Sequence, residues 1–417
     1  MNNTSKRRVV ITGMGAVTPI GNTVPEYWAG LIQGKSGADY ITRFDSTDFD
    51  TKFACEVKGF DAIARLDRKI VNRTDIYSQL ALAATDEAMQ DAGLSAEKIV
   101  SDRCGVVFGS GIGGMTTYHT QQKILFEQGP SRISPFFVPM MISDIAAGLI
   151  SMRYILKGPN YATTSACATS SNAIADAFML IQRGNADMMV AGGSESVVSP
   201  MAIGGFNAMK ALSTRNDDPK TASRPFDTGR DGFVLGEGAG VFILELLESA
   251  INRGAKIHAE LVGCGLTADA HHITAPHPEG EGAARAMILA VQDAGLNMND
   301  INYINVHGTS TPLGDIAEVS AIKRAFGDHS KNLLISGTKS MIGHLLGAAG
   351  VVQAIATVLM MENSLVHPTI NNINPDPLCD IDFVPNIPRK HEINAAVSNA
   401  FGFGGHNVSL CFRKYTE

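Results

Sequence analysis

A chain of 417 residues is long enough for one large domain or two closely packed ones, and its 45% hydrophobic and 18% charged residues are those of a globular protein. A net charge of −7 argues against nucleic acid as the main partner, and the opening "MNNTSKRRVVITGMG" lacks the long apolar core of a signal peptide. No apolar run reaches the roughly 18 residues of a membrane span, and six cysteines without CxxC spacing fit free thiols in a reducing cytoplasm, not disulfides or a zinc site.

In chain order, "RRVVITGM" predicts the first strand, and Ser78–Leu94 predicts a helix closed by Gly93. "CGVVFGSG", Cys104 to Gly111, predicts the next strand. "TTSACATSSNAI" then sets one thiol, Cys167, on the lip of a helix. Met188–Gly193 and Gly240–Leu247 are apolar enough to be buried strands. Between them, Ser213–Gly232 is rich in Asp, Pro and Gly and predicts a surface excursion. The chain then begins again. "QDAGL" occurs at Gln90–Leu94 and at Gln292–Leu296, each followed by a polar stretch and a strand ending in glycine: "VVFGSG", then "INVHGTS". The helix "SSNAIADAFMLI" has a counterpart in "AAGVVQAIATVLMM", and matching the two sets Cys167 opposite residues 344 to 345. Two related α/β halves follow, 1–252 and 253–417, joined near Ser249–Lys256, with the functional cleft at their seam.

Several motifs carry chemistry, each with a plainer alternative. "GSGIGG" after a strand matches a dinucleotide fingerprint, but no acidic residue follows at the right distance, so a close backbone turn is the better reading. "DAHHITAPHPEGE" holds Asp269, His271, His272 and His277, which reads as a loop lining a cleft more readily than as a metal site. In "NVHGTSTPLGD", His307 ends an apolar strand, and Thr311-Pro312 can open a helix. "ISGTKSMIGHLLGAAG" sets Lys339 and His344 after another strand. "NAFGFGGHN" offers backbone N–H groups to a substrate oxygen or forms a tight hairpin, with Phe401 and Phe403 on it. Cys104, Cys264 and Cys411 lie in strand-like sequence and read as core, whereas Cys55 and Cys379 are ambiguous. A thiol at a helix N-terminus near cations gains thiolate character, and two histidines and one ammonium beside it suit acyl transfer through a thioester.

"ACATSSNAI", "VHGTSTPLGD", "TKSMIGHLLGAAG" and "GFGG", in this order and together with "RPFDTGRDGFVLGEGAG", resemble the β-ketoacyl-acyl carrier protein synthases over essentially the whole chain. "HPTINNINPDPLCDIDFVPN" is most similar to the freestanding type II enzymes. The resemblance implies a thiolase-like α/β fold, with duplicated βαβ-based halves in a five-layer α-β-α-β-α sandwich, and a homodimer in the cytoplasm. It implies Cys167 as nucleophile and His307 and His344 as the residues that bind the malonyl carbonyl and promote decarboxylation, with Lys339 holding the electrostatics. The N–H groups of Cys167 and Phe403 would form the oxyanion hole, Phe403 with Phe401 the gate, Ile112 the limit on acyl length, and Thr309, Thr311 and Thr274 the contacts to the pantetheine arm. The partner would be an acidic acyl carrier protein, whose phosphopantetheine carries the substrates. No cofactor, metal, nucleic acid or membrane is implied. Arg68, Lys69, Arg73 and Lys210 would receive the carrier protein. Relatives carry Glu where this chain has Gln353, so Lys339 is expected to rely on Glu318 or another carboxylate. His406, where some relatives have Thr, reads as a residue that holds its loop. Two imidazoles in these contexts favour decarboxylative condensation over a thiolase or a coenzyme A-dependent starter enzyme, and Cys167 argues against a non-catalytic chain-length partner. A ketosynthase of a specialised polyketide or polyene pathway is the alternative to fatty acid elongation.

Overall fold

In the computed structural model, which describes residues 6–416, ten strands are linked by hydrogen bonds into one sheet; Met1–Ser5, the start of the N-terminal lead, lie outside the described residues. The strands are β1 (Val9–Val17), β2 (Cys104–Gly109), β3 (Asn160–Tyr161), β4 (Met188–Glu195), β5 (Gly238–Leu246), β6 (Ala259–Ala268), β7 (Tyr303–Asn305), β8 (Leu334–Ser336), β9 (Ala395–Gly402) and β10 (His406–Arg413). Their order is β8-β7-β9-β10-β6-β1-β5-β4-β2-β3. Reading outward from the centre, β1, β5, β4, β2, β3 mirror β6, β10, β9, β7, β8. The two sets also share their directions: two antiparallel pairings, then two parallel ones. The duplication legible in the sequence is therefore a duplication of topology. The halves meet edge to edge only where Val9–Ile11 pairs with Leu261–Ala259.

Side-chain alternation along the strands sorts the core into layers. Met189, Ala191, Phe242 and Leu244 turn toward helices α3 (Thr169–Gln182) and α6 (Ala349–Asn363). Their neighbours Met188, Val190, Val241 and Ile243 turn the other way, onto α1 (Ile76–Asp91) and α2 (Ile145–Tyr154). In the second half, Val408, Leu410 and Phe412 join the α3–α6 layer, whereas Ile304, Val397 and Cys411 face α4 (Glu281–Asp293) and α5 (Pro312–Phe326). Outer helices, one half of the sheet, α3 with α6, the other half of the sheet, outer helices: this is the five-layer thiolase-like sandwich. The repeated "QDAGL" ends α1 and α4 identically, with Gly93 and Gly295 at φ +66° and +67° and the following leucine N–H bonded back to Met89 and Val291.

Two expectations change. Leu346–Asn363 is 18 residues long with mean hydropathy 1.3, enough by composition to cross a membrane, yet 89% of it is buried, because it is a helix packed between the two five-stranded halves of the sheet. Ser213–Gly232 is not a surface excursion throughout, since Ala222–Asp227 is buried. Two of its arginines are buried and paired: Arg224 with Asp227 at 3.0 Å, and Arg230 with Asp376 of the second half at 2.8 Å. Phe226 stacks on Phe383 at 3.7 Å. The polar composition there reflects buried ion pairs that fasten one half to the other. All six cysteines are free and buried, including Cys55 and Cys379.

Candidate active site

The helices α3 and α6 each begin with a short 3-10 turn, Ala166–Ala168 and Leu346–Ala348. Both turns open on a non-glycine residue in the left-handed region, Ala166 at φ +49° and Leu346 at φ +44°. The structural counterpart of Cys167 is therefore Gly347, not residues 344 to 345 as helix matching suggested. His344 lies two residues ahead of its turn, where the other copy has Thr164. Glycines let other segments approach each turn closely: a Cβ on Gly347 would stand 2.3 Å from the Gly111 nitrogen, and one on Gly402 of β9 would stand 2.6 Å from the Ser165 oxygen.

At this seam the Cys167 sulfur and a ring nitrogen of each of His307 and His344 lie within 4.8 Å of one another. The two imidazoles meet edge to face, with centroids 5.3 Å apart and planes at 86°. Phe401 and Phe233 pack against them. The three residues line a cavity of about 560 Å³ together with Ile112, Thr274, Thr309, Thr311, Phe401, Phe403 and Lys210. Lys339 is fully buried behind it. Arg68 and Lys69 lie exposed on the short helix Arg68–Val71, and the Arg73 guanidinium covers the Phe136 ring at 4.8 Å. Those three do not line the cavity, whereas Lys210 does.

Local hydrogen bonds fix both tautomers. The Leu346 N–H donates to His344 Nδ1 at 3.3 Å, and the Lys339 ammonium lies 3.4 Å from His307 Nδ1 while donating to the His307 carbonyl at 2.6 Å. With Nδ1 accepting in each ring, the proton resides on Nε2, so both imidazoles are hydrogen-bond donors. Burial, aided by the Lys339 charge, pushes both far below the usual histidine range and keeps them neutral. Burial lowers Lys339 and raises Glu318, and their mutual attraction opposes both shifts.

Lys339 does not hydrogen-bond a carboxylate. Its ammonium donates to Gln353 Oε1, while the Gln353 amide donates to the Val306 carbonyl at 2.8 Å and the Asn399 carbonyl at 3.3 Å, which locks the orientation. Glu318 acts on Lys339 through charge; its oxygens accept the N–H groups of His307 and Gly308, both at 2.8 Å. Thr311 caps α5 by accepting from the Gly314 N–H, with Pro312 in the first turn, and its hydroxyl is 3.0 Å from that of Thr309.

The expectation of an activated thiolate is reversed. Burial pushes the Cys167 thiol up to about 11, and the nearby Lys339 and the N–H groups of Phe403 and Cys167 itself offset this only in part. Those two N–H groups lie together at the sulfur. Phe403 begins the turn between β9 and β10, so "GFGG" is a tight hairpin, with Phe401 and Phe403 on the cavity wall. His406 is exposed, its ring against Gly404. Thr274, Asp269 and His277 line the cavity, and the loop is tied to the hairpin by the Asn407 amide donating to Asp269 at 2.7 Å. Two imidazoles and a thiol are ligand types a metal accepts, and the Lys339 ammonium buried behind them is a cation that would repel one.

Sequence reasoning missed Glu195. It is fully buried, and the "GSGIGG" loop wraps around its carboxylate instead of a phosphate. The apolar run before it gave no sign that its last residue bonds to a loop some 85 residues away.

The N-terminal domain of the β-ketoacyl synthase family matches residues 6–250, and its C-terminal domain matches residues 258–372. The chain is 52% identical over 415 residues to a 3-oxoacyl-[acyl-carrier-protein] synthase 2 of Synechocystis sp., covering 100% of both chains. It is 53% identical over 409 residues to the synthase 2 of Staphylococcus aureus, covering 98% of this chain and 99% of that one. Among solved structures, a β-ketoacyl synthase from Burkholderia phymatum STM815 superimposes with a TM-score of 0.92 at 39% identity, covering 98% of this chain and 100% of that one. A type II polyketide acyl-carrier protein in complex with its ketosynthase bound to the hexaketide gives a TM-score of 0.90 at 34% identity, covering 99% and 100%. With both domains matched around a seam that joins one thiol to two imidazoles, the chain belongs to the β-ketoacyl synthase family.

Proposed function

We propose that the protein condenses malonyl-acyl carrier protein with an acyl chain held on Cys167, giving 3-oxoacyl-acyl carrier protein for fatty acid elongation. The observation that carries this reading is the meeting of Cys167 with two neutral imidazoles that both donate from Nε2. In the first step the Cys167 sulfur attacks the acyl thioester carbonyl; the bond to the pantetheine sulfur breaks, and the thiol proton leaves with it. The N–H groups of Cys167 and Phe403 hold the tetrahedral oxygen. In the second step His307 and His344 donate to the malonyl thioester carbonyl. Carbon dioxide departs, and its bonding electrons become an enolate held by those two donors. The enolate carbon attacks the acyl carbonyl, a carbon–carbon bond forms, and Cys167 leaves as a thiolate that regains a proton from water. Neutral donors suit this role, since a charged imidazolium would protonate the enolate. Lys339, paired through space with Glu318, supplies the positive field, and Gln353 presents its ammonium toward His307.

Thr309, Thr311 and Thr274 would contact the pantetheine arm, and the carrier protein would dock at the mouth beside Lys210, with Arg68, Lys69 and Arg73 as its wider basic footing. Thioester carriage removes the need for a resident cofactor or metal. The edge strand β3 is exposed, with Tyr161, Ile155 and Met152 at 39%, 55% and 68%. A bare edge with apolar neighbours supports pairing with a second copy as a homodimer. Free thiols support a cytoplasmic setting. Identities of 52% and 53% to 3-oxoacyl-[acyl-carrier-protein] synthase 2 proteins, against 34% to the polyketide ketosynthase, favour fatty acid elongation over a specialised pathway. The test is carbon dioxide release from malonyl-carrier protein. His307→Ala and His344→Ala each lose about 10²-fold or more while thermal unfolding changes little; release at the wild-type rate in both variants would contradict the reading.

A further inference from the structure

Glu195 ends β4 with its carboxylate fully buried and takes no part in the steps above. Its Oε1 accepts the Ser110 hydroxyl at 2.8 Å and the Ile112 N–H at 3.2 Å. Its Oε2 accepts the Gly111 N–H at 2.8 Å and the Gly347 N–H at 3.0 Å. The loop is built to this carboxylate. A Cβ on Gly111 would stand 2.7 Å from Oε2, and one on Gly347 would stand 2.8 Å from it. One side chain thus ties the backbone of Ile112, on the cavity wall, to the turn that follows His344. From this we infer that Glu195 is a positioning residue for acyl-chain length: it fixes the Ile112 backbone and so the depth of the cavity beyond Cys167. The inference rests on the proposed function together with the role the family resemblance implies for Ile112, which lines the cavity beside Cys167, as the limit on acyl length.

The hydrogen-bond pattern makes a selective test available. In Glu195→Gln, the carbonyl oxygen of the amide takes the Oε2 place, where two backbone N–H groups admit nothing but an acceptor. The NH₂ group then stands at the Oε1 place. There the Ser110 hydroxyl can turn and accept, but the Ile112 N–H has lost its acceptor. The substitution therefore frees Ile112 and leaves the Gly347 bond intact. The experiment follows acylation of Cys167 by intact mass, using carrier-bound acyl chains of graded length, in wild type, Glu195→Gln and Ile112→Ala. For Glu195→Gln we expect the rate ratio between preferred and disfavoured lengths to fall about tenfold, the scale on which apolar pockets discriminate, with malonyl decarboxylation within about twofold of wild type. An unchanged length profile overturns the inference, as does an equal loss of acylation at every length. If Glu195→Gln does not fold, Ser110→Ala removes one Oε1 donor and the acceptor of the Gly113 N–H; a smaller shift in the same profile supports the inference, and none overturns it. No acylation of wild-type Cys167 by any chain would instead count against the proposed function itself.

Discussion

The turn at Ala166–Ala168 and the turn at Leu346–Ala348 are the same piece of backbone made twice, and only one of them carries a thiol. Each opens on a residue at positive φ, runs into a buried helix and touches the other across the seam. In the first copy the second position is Cys167, and the residue two places before the turn is the exposed Thr164. In the second copy those places hold Gly347 and His344. Duplication supplied the geometry, and divergence split the chemistry. One turn presents a thiol; the other gives up its side chain so that the Gly111 loop and the Glu195 carboxylate can approach, and is preceded by an imidazole at the seam.

Exchanging features of the two turns breaks this comparison by degrees. The largest effect is Cys167→Ala, which makes the first turn as inert as the second: elongation falls by about 10⁴-fold or more, measured as product formation, while stability drops by only about 1 kcal/mol. Gly347→Ala does the opposite. Its methyl meets the Gly111 nitrogen and the Glu195 carboxylate, so urea unfolding shows a loss of about 3 kcal/mol. The buried ammonium of Lys339 belongs to the second copy alone, and it predicts a pH dependence. Lys339 is charged below its pKa, and burial lowers that pKa; activity is therefore full on the acid side and declines with rising pH well below the ordinary lysine value near 10.4. Lys339→Met, with low residual activity, shows no such alkaline limb in its kcat profile. The smallest effect is Ala166→Gly. It relieves the left-handed residue but makes the unfolded chain more flexible, leaving a net gain of about 0.5 kcal/mol; a loss above about 1 kcal/mol would mean the turn is held without strain.

The halves were legible because "QDAGL" marks the same helix ending twice and because strand alternation repeats in the same order. Cys167, His307 and His344 were legible as motifs beside glycines at strand and helix ends. The register between the copies was not, since a left-handed Ala or Leu leaves no compositional trace as a glycine would, and helix matching slipped by two to three residues. The state of the thiol was not legible either: a helix N-terminus and a lysine argue for a thiolate, but the depth of burial that outweighs them is a property of the packed seam. Glu195 and Gln353 act through backbone groups brought from distant segments, and no local pattern reports such partners. Ala222–Asp227 was misread because Arg224 and Asp227 resemble solvated charge until they pair with each other and the Ile373 and Asn374 N–H groups of the other half reach Asp227.

The central claim is that Cys167 carries the acyl chain between two carrier-protein substrates. Its most direct test is intact mass after mixing the protein with a long-chain acyl-carrier protein, followed by malonyl-carrier protein. The account predicts a gain of one acyl group mapped to Cys167, then its loss as 3-oxoacyl-carrier protein forms. No mass gain, or acylation from coenzyme A alone, would contradict it.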